Sequence, residues 1–135
     1  MNKAFVSTWT PRAQALLRIV AAYLFIQHGT AKLFHLPHVA MFDGLEVVSL
    51  IGIAGIIELV GGALLLVGFM SRLVALVVSG EMAVAYFIAH APAGSILTPA
   101  LNGGELAVLY CFVFLFIAVA GGGAWSIDTL RRTSA

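Results

Sequence analysis

The stretch LIGIAGIIELVGGALLLVGFMSR, residues 50–72, decides the fold that this sequence predicts. Up to Met70 it carries one charged side chain, Glu58, and a helix of roughly 20 apolar residues crosses a hydrocarbon core of about 30 Å. The turn at Met70-Ser71-Arg72 is so short that the helices on either side of it must be antiparallel neighbours. The stretch therefore predicts one membrane span and the direction of the next.

The composition of the whole chain agrees with a lipid bilayer as its surroundings. Its 135 residues are 61% hydrophobic and 10% charged, with a mean hydropathy of +1.06, which exceeds the apolar share of soluble domains. Seven Lys and Arg residues nearly balance six Asp and Glu residues, so we expect no nucleic-acid partner. The single cysteine, Cys111, excludes dithiol chemistry within one chain.

Four segments are long and apolar enough to be spans, and they cover residues 11–34, 48–70, 71–89 and 103–120. The predicted fold is all-α, an integral membrane antiparallel four-helix bundle that forms one domain over residues 1–135. We expect Thr10-Pro11 to begin the first helix and the stretch from His35 to His38 to end it. The outer loop that follows predicts a short interfacial helix around Met41, Phe42 and Leu45.

Topology follows from the cationic residues outside the predicted spans, because cytoplasmic loops are enriched in Lys and Arg. These residues precede span one, separate spans two and three, and follow span four: Lys3, Arg12, Arg72, Arg131 and Arg132. The other two loops contain neither Lys nor Arg. We therefore expect a multi-pass protein of a bacterial-type inner membrane, with both termini cytoplasmic.

Ionisable side chains within the spans are the candidate functional residues, since each costs several kcal/mol in lipid unless it is paired or hydrated. At about 100° per residue, Arg18, His28 and Lys32 share one face of the first helix. Depth places Arg18 opposite Glu81 near the middle of the membrane. In span two, Glu58 lies among glycines at three- and four-residue spacing, a seam that another helix can approach closely. These glycines are Gly52, Gly55 and Gly62.

The remaining polar residues collect in the outer half, where we expect a polar cavity that opens to the outer side. The predicted ligand-binding residues are Arg18, His28, Lys32, His90 and Asn102. A possible proton relay consists of Glu58, Glu81 and Glu105. Tyrosine and phenylalanine side chains near them pack the core or stack on a flat ligand.

Structural roles for the same residues stay open at this point. Arg18 can pair with Glu81 or Glu58 only to fix helix register, and Lys32 can extend to the outer interface. Asn102-Gly-Gly-Glu105 has the spacing of a capping box. Two histidine readings are weaker: His28 and His90 as haem ligands, and His35-x-x-His38 as a metal pair, which Pro37 misaligns. We predict no metal and no intrinsic cofactor.

The order and spacing of several motifs resemble the DoxX family of small four-helix membrane proteins. The resemblance covers nearly the whole length, from Arg12 to Arg132. It is carried by these motifs, in chain order: Arg18, His28-Gly-Thr-Ala-Lys32, Glu58-Leu-Val-Gly-Gly62 with Gly68, Gly103-Gly-Glu105, and Gly121-Gly-Gly-Ala-Trp-Ser-Ile-Asp128. Each motif alone is a weak signal, whereas their succession is specific.

The resemblance implies redox work near the quinone pool, because relatives form the membrane part of a thiosulfate:quinone oxidoreductase or are linked with quinone and oxidative stress. It implies a membrane subunit that binds a quinone or another small aromatic ligand, with electrons supplied by a partner protein. Two other functions stay open. One is a non-catalytic scaffold that uses the glycine seam to hold a partner or a second copy, and the other is a small proton-coupled permease.

Overall fold

The computed structural model describes residues 2–133, and its secondary structure is helical. Four long helices form the framework, with shorter helices between and after them. The long helices are α1 (Lys3–Phe34), α2 (Leu50–Val67), α3 (Ser71–Ala85) and α5 (Glu105–Ala120). The shorter α-helices are α4 (Pro99–Asn102) and α6 (Ile127–Thr133). A π-helix, Tyr86–His90, continues α3, and 3₁₀ turns cover Ala40–Phe42 and Ala91–Ala93. The prediction of an all-α fold is confirmed.

The first helix begins earlier than the sequence predicts. It starts at Lys3 because the Asn2 side chain caps it, accepting a hydrogen bond from the backbone N–H of Ala4 at 3.1 Å. Pro11 lies inside the helix and not at its start, so the prediction of a Thr10-Pro11 cap is wrong. The prediction at the other end is confirmed, since α1 ends at Phe34 and His35 adopts a left-handed conformation there.

The second and third helices agree closely with the predicted spans. Ser49 caps α2 by accepting a hydrogen bond from the Gly52 N–H at 3.1 Å, and Gly68, with φ 70°, ends it. Met70 completes the tight turn with φ 49°. The fourth predicted span starts two residues late, because Gly103 takes φ 73° and separates α4 from α5. The predicted interfacial helix of the outer loop is only the 3₁₀ turn at Phe42.

The long helices pack in two close pairs. Helix α1 lies mainly against α2, helix α3 mainly against α5, and contact between α2 and α3 joins the pairs. An apolar core fills the space between them, centred on Phe25, Leu65, Val78, Phe114 and Ile117, which are buried. The rings of Phe25 and Phe114 meet edge to face, with centroids 4.8 Å apart.

Contact between α1 and α2 depends on glycine. A Cβ on Gly29 would lie 2.6 Å from the Leu59 nitrogen and 2.8 Å from the Gly55 oxygen, both backbone atoms that have no room to move. A Cβ on Gly62 would lie 2.7 Å from the side chain of Ile26. The predicted glycine seam is therefore confirmed at Gly55 and Gly62, where α1 of the same chain occupies it, whereas Gly52 faces the backbone of Val47 before α2. It is not a free face for a partner, which removes that form of the scaffold hypothesis.

The outer surface of these helices is apolar. Two helical segments, Leu50–Val67 and Ser71–Ala93, are long and apolar enough to cross a membrane, and Glu105–Ala120 is a shorter apolar helix. Only about a third of each spanning candidate is buried inside the protein, unlike the core helix of a soluble domain. Large side chains such as Leu76 and Phe112 are 56% and 64% exposed. This surface is that of a membrane protein.

Candidate functional site

The most polar part of the interior is an ion pair between α1 and α2. The Lys32 ammonium lies 2.5 Å from the Glu58 carboxylate, Nζ to Oε1. Lys32 is 13% exposed and Glu58 only 2%. Contact at Gly55, whose Cβ position lies 3.0 Å from the Lys32 Cβ, brings the two backbones close enough for the pair to form. The glycine seam thus positions the pair.

Glu81 of α3 adds a second carboxylate beside this pair. Both of its carboxyl oxygens are buried without a hydrogen-bond partner, and so is Oε2 of Glu58. The charges of Glu58 and Lys32 both act on Glu81. One cation therefore faces two carboxyl groups, and a buried site of this kind holds a proton on one of them or is left with an uncompensated charge. We call Lys32, Glu58 and Glu81 the carboxylate centre.

Aromatic rings close the carboxylate centre. Phe42, buried in the loop between α1 and α2, places its ring centroid 5.8 Å from the Lys32 Nζ. The rings of His28 and Tyr110 meet at right angles, with centroids 6.0 Å apart. Lys32 interacts electrostatically with His28, and Glu58 interacts electrostatically with Tyr110. Of the predicted site residues, the structure thus brings together His28, Lys32, Glu58 and Glu81.

Arg18 does not join them. Its buried guanidinium donates to four backbone carbonyls, those of Gly122 at 2.8 Å, Leu66 at 2.7 Å, Trp125 at 2.9 Å, and Leu65. The predicted meeting of Arg18 with Glu81 or Glu58 is therefore wrong. The reason is that the carbonyls at the C-terminal end of α2 carry partial negative charge, and together with the carbonyls of Gly122 and Trp125 they satisfy the guanidinium without an acid.

The residues predicted at the other outer loop form a separate group. Buried Asn102 donates to the Tyr86 hydroxyl and the Ser95 carbonyl, both at 3.2 Å, and accepts from the Gly104 N–H at 2.9 Å. The ring of His90 stacks on Tyr86, with centroids 6.5 Å apart. Asn102 therefore holds the loop between α3 and α5 with its own amide group.

Glu105 lies away from both groups. It is the exposed first residue of α5. Gly104 occupies the N-cap position before it, and no side chain caps the helix there. The Asn102-to-Glu105 capping box does not form, because Asn102 bonds to Gly104 instead. In the outer loop, His38 bonds to Asp43 at 2.9 Å, Nε2 to Oδ1. No group of three metal-ligating side chains occurs within residues 2–133.

Asp128 has a structural role at the start of α3 that was not predicted from the sequence. Its carboxylate accepts the backbone N–H groups of Met70 at 2.8 Å and Ser71 at 2.7 Å, and so caps α3 from the distant helix α6. Partial burial opposes ionisation, but hydrogen bonds from Ser71 and Met70 and the charge of Arg132 outweigh it and lower the pKa of Asp128. The signal in the sequence was the Ser126-x-Asp128 start of a short helix.

Asp128→Asn is expected to lower the free energy of unfolding by about 1–2 kcal/mol at neutral pH, because the charged cap is lost. The folded-state pKa is depressed, so the contribution of Asp128 is complete above the unfolded pKa of about 3.9 and disappears as the pH falls through the lower folded value. Thermal unfolding in detergent at several pH values tests this. The matched control is Asp43→Asn in the exposed outer loop; equal effects of the two variants would contradict the cap.

Comparison with known proteins agrees with this architecture. The family model DoxX matches residues 13–91, more than half of the chain. A protein of Haemophilus influenzae, described as uncharacterized, is 45% identical over 123 residues, which cover 89% of this chain and 91% of the relative. No solved structure matches. The matched residues include α2, α1 from residue 13 onward and the whole carboxylate centre. With its apolar, largely exposed helices, the chain is a membrane protein that belongs to the DoxX family.

Proposed function

We propose that the chain is a membrane subunit of a quinone-linked oxidoreductase system and that its carboxylate centre exchanges the protons of quinone reduction. The observation that carries the proposal is Glu81, whose two buried oxygens lack partners beside the Lys32–Glu58 pair. Ionisable groups inside a membrane protein serve proton or substrate paths more often than packing. Family membership supports the redox setting.

The proposed chemistry is the two-electron, two-proton reduction of a quinone to a quinol. Electrons would come from the reduced cofactor of a partner protein, since the sequence contains no cofactor-binding motif. Lys32 would donate a hydrogen bond to a quinone carbonyl, and Glu81 would pass one proton to that oxygen as the two electrons arrive. The second proton would reach the other quinone oxygen from the outer side, and Glu81 would be reprotonated from the same side. Phe42 covers Lys32, so binding of the ligand requires that this ring move aside.

The proposal includes four membrane spans, formed by α1, α2, α3 with its π-helical continuation, and α5, with both termini cytoplasmic. Five of the seven cations support this orientation, because Lys3, Arg12, Arg72, Arg131 and Arg132 belong to one end of the helices. The Pro11 carbonyl accepts the Ala124 N–H at 2.9 Å, which fixes α1 to the loop after α5 at that end. Cytoplasmic ends are rich in Lys and Arg.

Glu81→Gln tests the proton role against a matched control. Native mass spectrometry and lipid extraction of protein released gently from its own membrane should find a quinone with the wild type and with Glu105→Gln. Glu105 is an exposed glutamate outside the centre. In membranes that also contain the partner, Glu81→Gln is expected to slow quinone reduction by about 100-fold, the usual scale for loss of a general acid. Absence of quinone from every sample, or equal rates for the two variants, would refute the proposal.

A second candidate is a non-catalytic assembly protein, with a protein partner or a second copy of the chain. The observation that favours it is the closure of the carboxylate centre: Glu58 is 2% exposed, and the Lys32–Glu58 pair joins α1 to α2 as a register-fixing contact would. Native mass spectrometry distinguishes the two candidates, because a scaffold appears with a second polypeptide and without a quinone.

A further inference from the structure

A cavity of about 720 Å³ lies at the arginine-rich end of the helices, away from the carboxylate centre. Its wall is formed by α1 at Pro11 and Gln14, the start of α3, the glycine run after α5 and the C-terminal helix α6. Three cations line it, Arg72, Arg131 and Arg132, against one carboxylate, Asp128. The cavity therefore has a net positive charge.

The single carboxylate does not neutralise these arginines by direct contact. Both oxygens of Asp128 accept backbone N–H groups at the start of α3. Within residues 2–133, no carboxylate lies within 4.0 Å of the nitrogens of Arg131 or Arg132. The Arg131 guanidinium lies over the ring of Phe69, 5.4 Å from its centroid, which holds the cation beside the cavity.

An apolar groove begins where this cavity ends. The groove, of about 380 Å³, runs between α2 and α3 and is lined by aliphatic side chains and one glycine, including Val60, Leu64 and Val77. Met70 and Leu73 line both the cavity and the groove. The cationic cavity and the apolar groove are therefore adjacent, and Met70 and Leu73 lie between them on the surface of the helices.

We propose that this composite site binds an anionic phospholipid, with the phosphate of its headgroup among the arginines and an acyl chain along the groove. Guanidinium groups match the geometry of phosphate oxygens, and basic pockets at the ends of membrane helices bind anionic headgroups. The adjacency of the cavity and the groove selects a lipid over a free phosphate, because a free phosphate would use the cavity alone. The inference needs only that the chain is a membrane protein, and it is independent of the proton role of Glu81.

Retention of phosphatidylglycerol, measured by native mass spectrometry after reconstitution with phosphatidylcholine and phosphatidylglycerol, tests the site. In Arg131→Gln/Arg132→Gln we expect affinity for phosphatidylglycerol to fall about tenfold to thirtyfold. The matched control is Lys3→Gln/Arg12→Gln, which removes two cations from the same end without touching the cavity, and it should retain the lipid. Equal losses in both variants, or no loss in either, would overturn the proposal.

Val77→Trp tests the acyl-chain half of the site. This residue lines the groove and is 54% exposed, so a larger side chain fills the groove without entering the core. Loss of phosphatidylglycerol in this variant is expected. Unchanged retention, or displacement of the lipid by millimolar inorganic phosphate, would overturn the lipid assignment in favour of a free phosphate.

If the double arginine variant fails to fold, Arg132→Gln alone is expected to weaken binding about fivefold.

Discussion

Lys32→Met is expected to lower the free energy of unfolding by about 3–5 kcal/mol, because it leaves Glu58 buried without its cation. Glu58 is 2% exposed and its Oε2 atom already lacks a partner, so solvent cannot replace the ammonium. Glu81 then adds a second carboxyl group to the same unpaired site. Unfolding in mixed micelles, followed by circular dichroism as the denaturing detergent increases, measures the loss.

The double variant Lys32→Met/Glu58→Gln separates a structural role from a functional one. A neutral pair of similar volume removes the uncompensated charge, so we expect most of the lost stability to return. Quinone reduction should not return, because neither the hydrogen-bond donor nor the carboxylate is restored. Recovery of both stability and activity would show that the pair only fixes helix register.

Arg18→Met is expected to destabilise the protein by about 3–5 kcal/mol, since the buried guanidinium donates to four backbone carbonyls and all four hydrogen bonds are lost at once. The guanidinium joins the end of α2, at Leu65 and Leu66, to Gly122 and Trp125 in the loop after α5. The same loss should loosen the end of the fold at which α6 caps α3. Hydrogen exchange of the backbone amides in residues 121–126 measures that loosening.

Two variants make the Arg18 prediction specific. Arg12→Met is the matched control on the same helix, because the Arg12 guanidinium lies over the ring of Trp9, 5.1 Å from its centroid, and a change of less than about 1 kcal/mol is expected. Arg18→Lys keeps the charge but cannot reach carbonyls on two segments with one ammonium group, so we expect only partial recovery. Full recovery by lysine would contradict the hydrogen-bond explanation.

Helix boundaries could be predicted where a local signal dominates. His35 ends α1 within the predicted stop at residues 35–38, whereas α2 ends at Gly68, before the predicted Met70, because a glycine takes the left-handed conformation there. The start of α1 could not be predicted from Pro11, because proline favours the first turn of a helix and removes a backbone hydrogen bond in the interior, yet α1 contains Pro11 in its interior. The helix begins earlier because Asn2, nine residues before Pro11, caps it.

For the site, the sequence supplied the residues but not their partners. Helical periodicity correctly placed His28 and Lys32 on one face, and the glycine spacing correctly identified a close helix contact at Gly55. Which acid meets which cation depends on the relative rotation and depth of two helices, and helical depth is known from sequence only to within about a turn. Lys32 therefore pairs with Glu58, whereas Arg18 donates hydrogen bonds to backbone carbonyls.

The sequence by itself determined that this protein is helical and apolar on its surface, and that it belongs to the DoxX family. It also determined that glycines in α2 allow another helix to approach closely. Each of these is a property of local spacing or composition. Only the tertiary structure decided that α1 fills the glycine seam, that Arg18 binds the loop after α5, and that Asp128 caps α3. Those contacts join segments more than 20 residues apart. They depend on how the helices pack, which no single segment encodes.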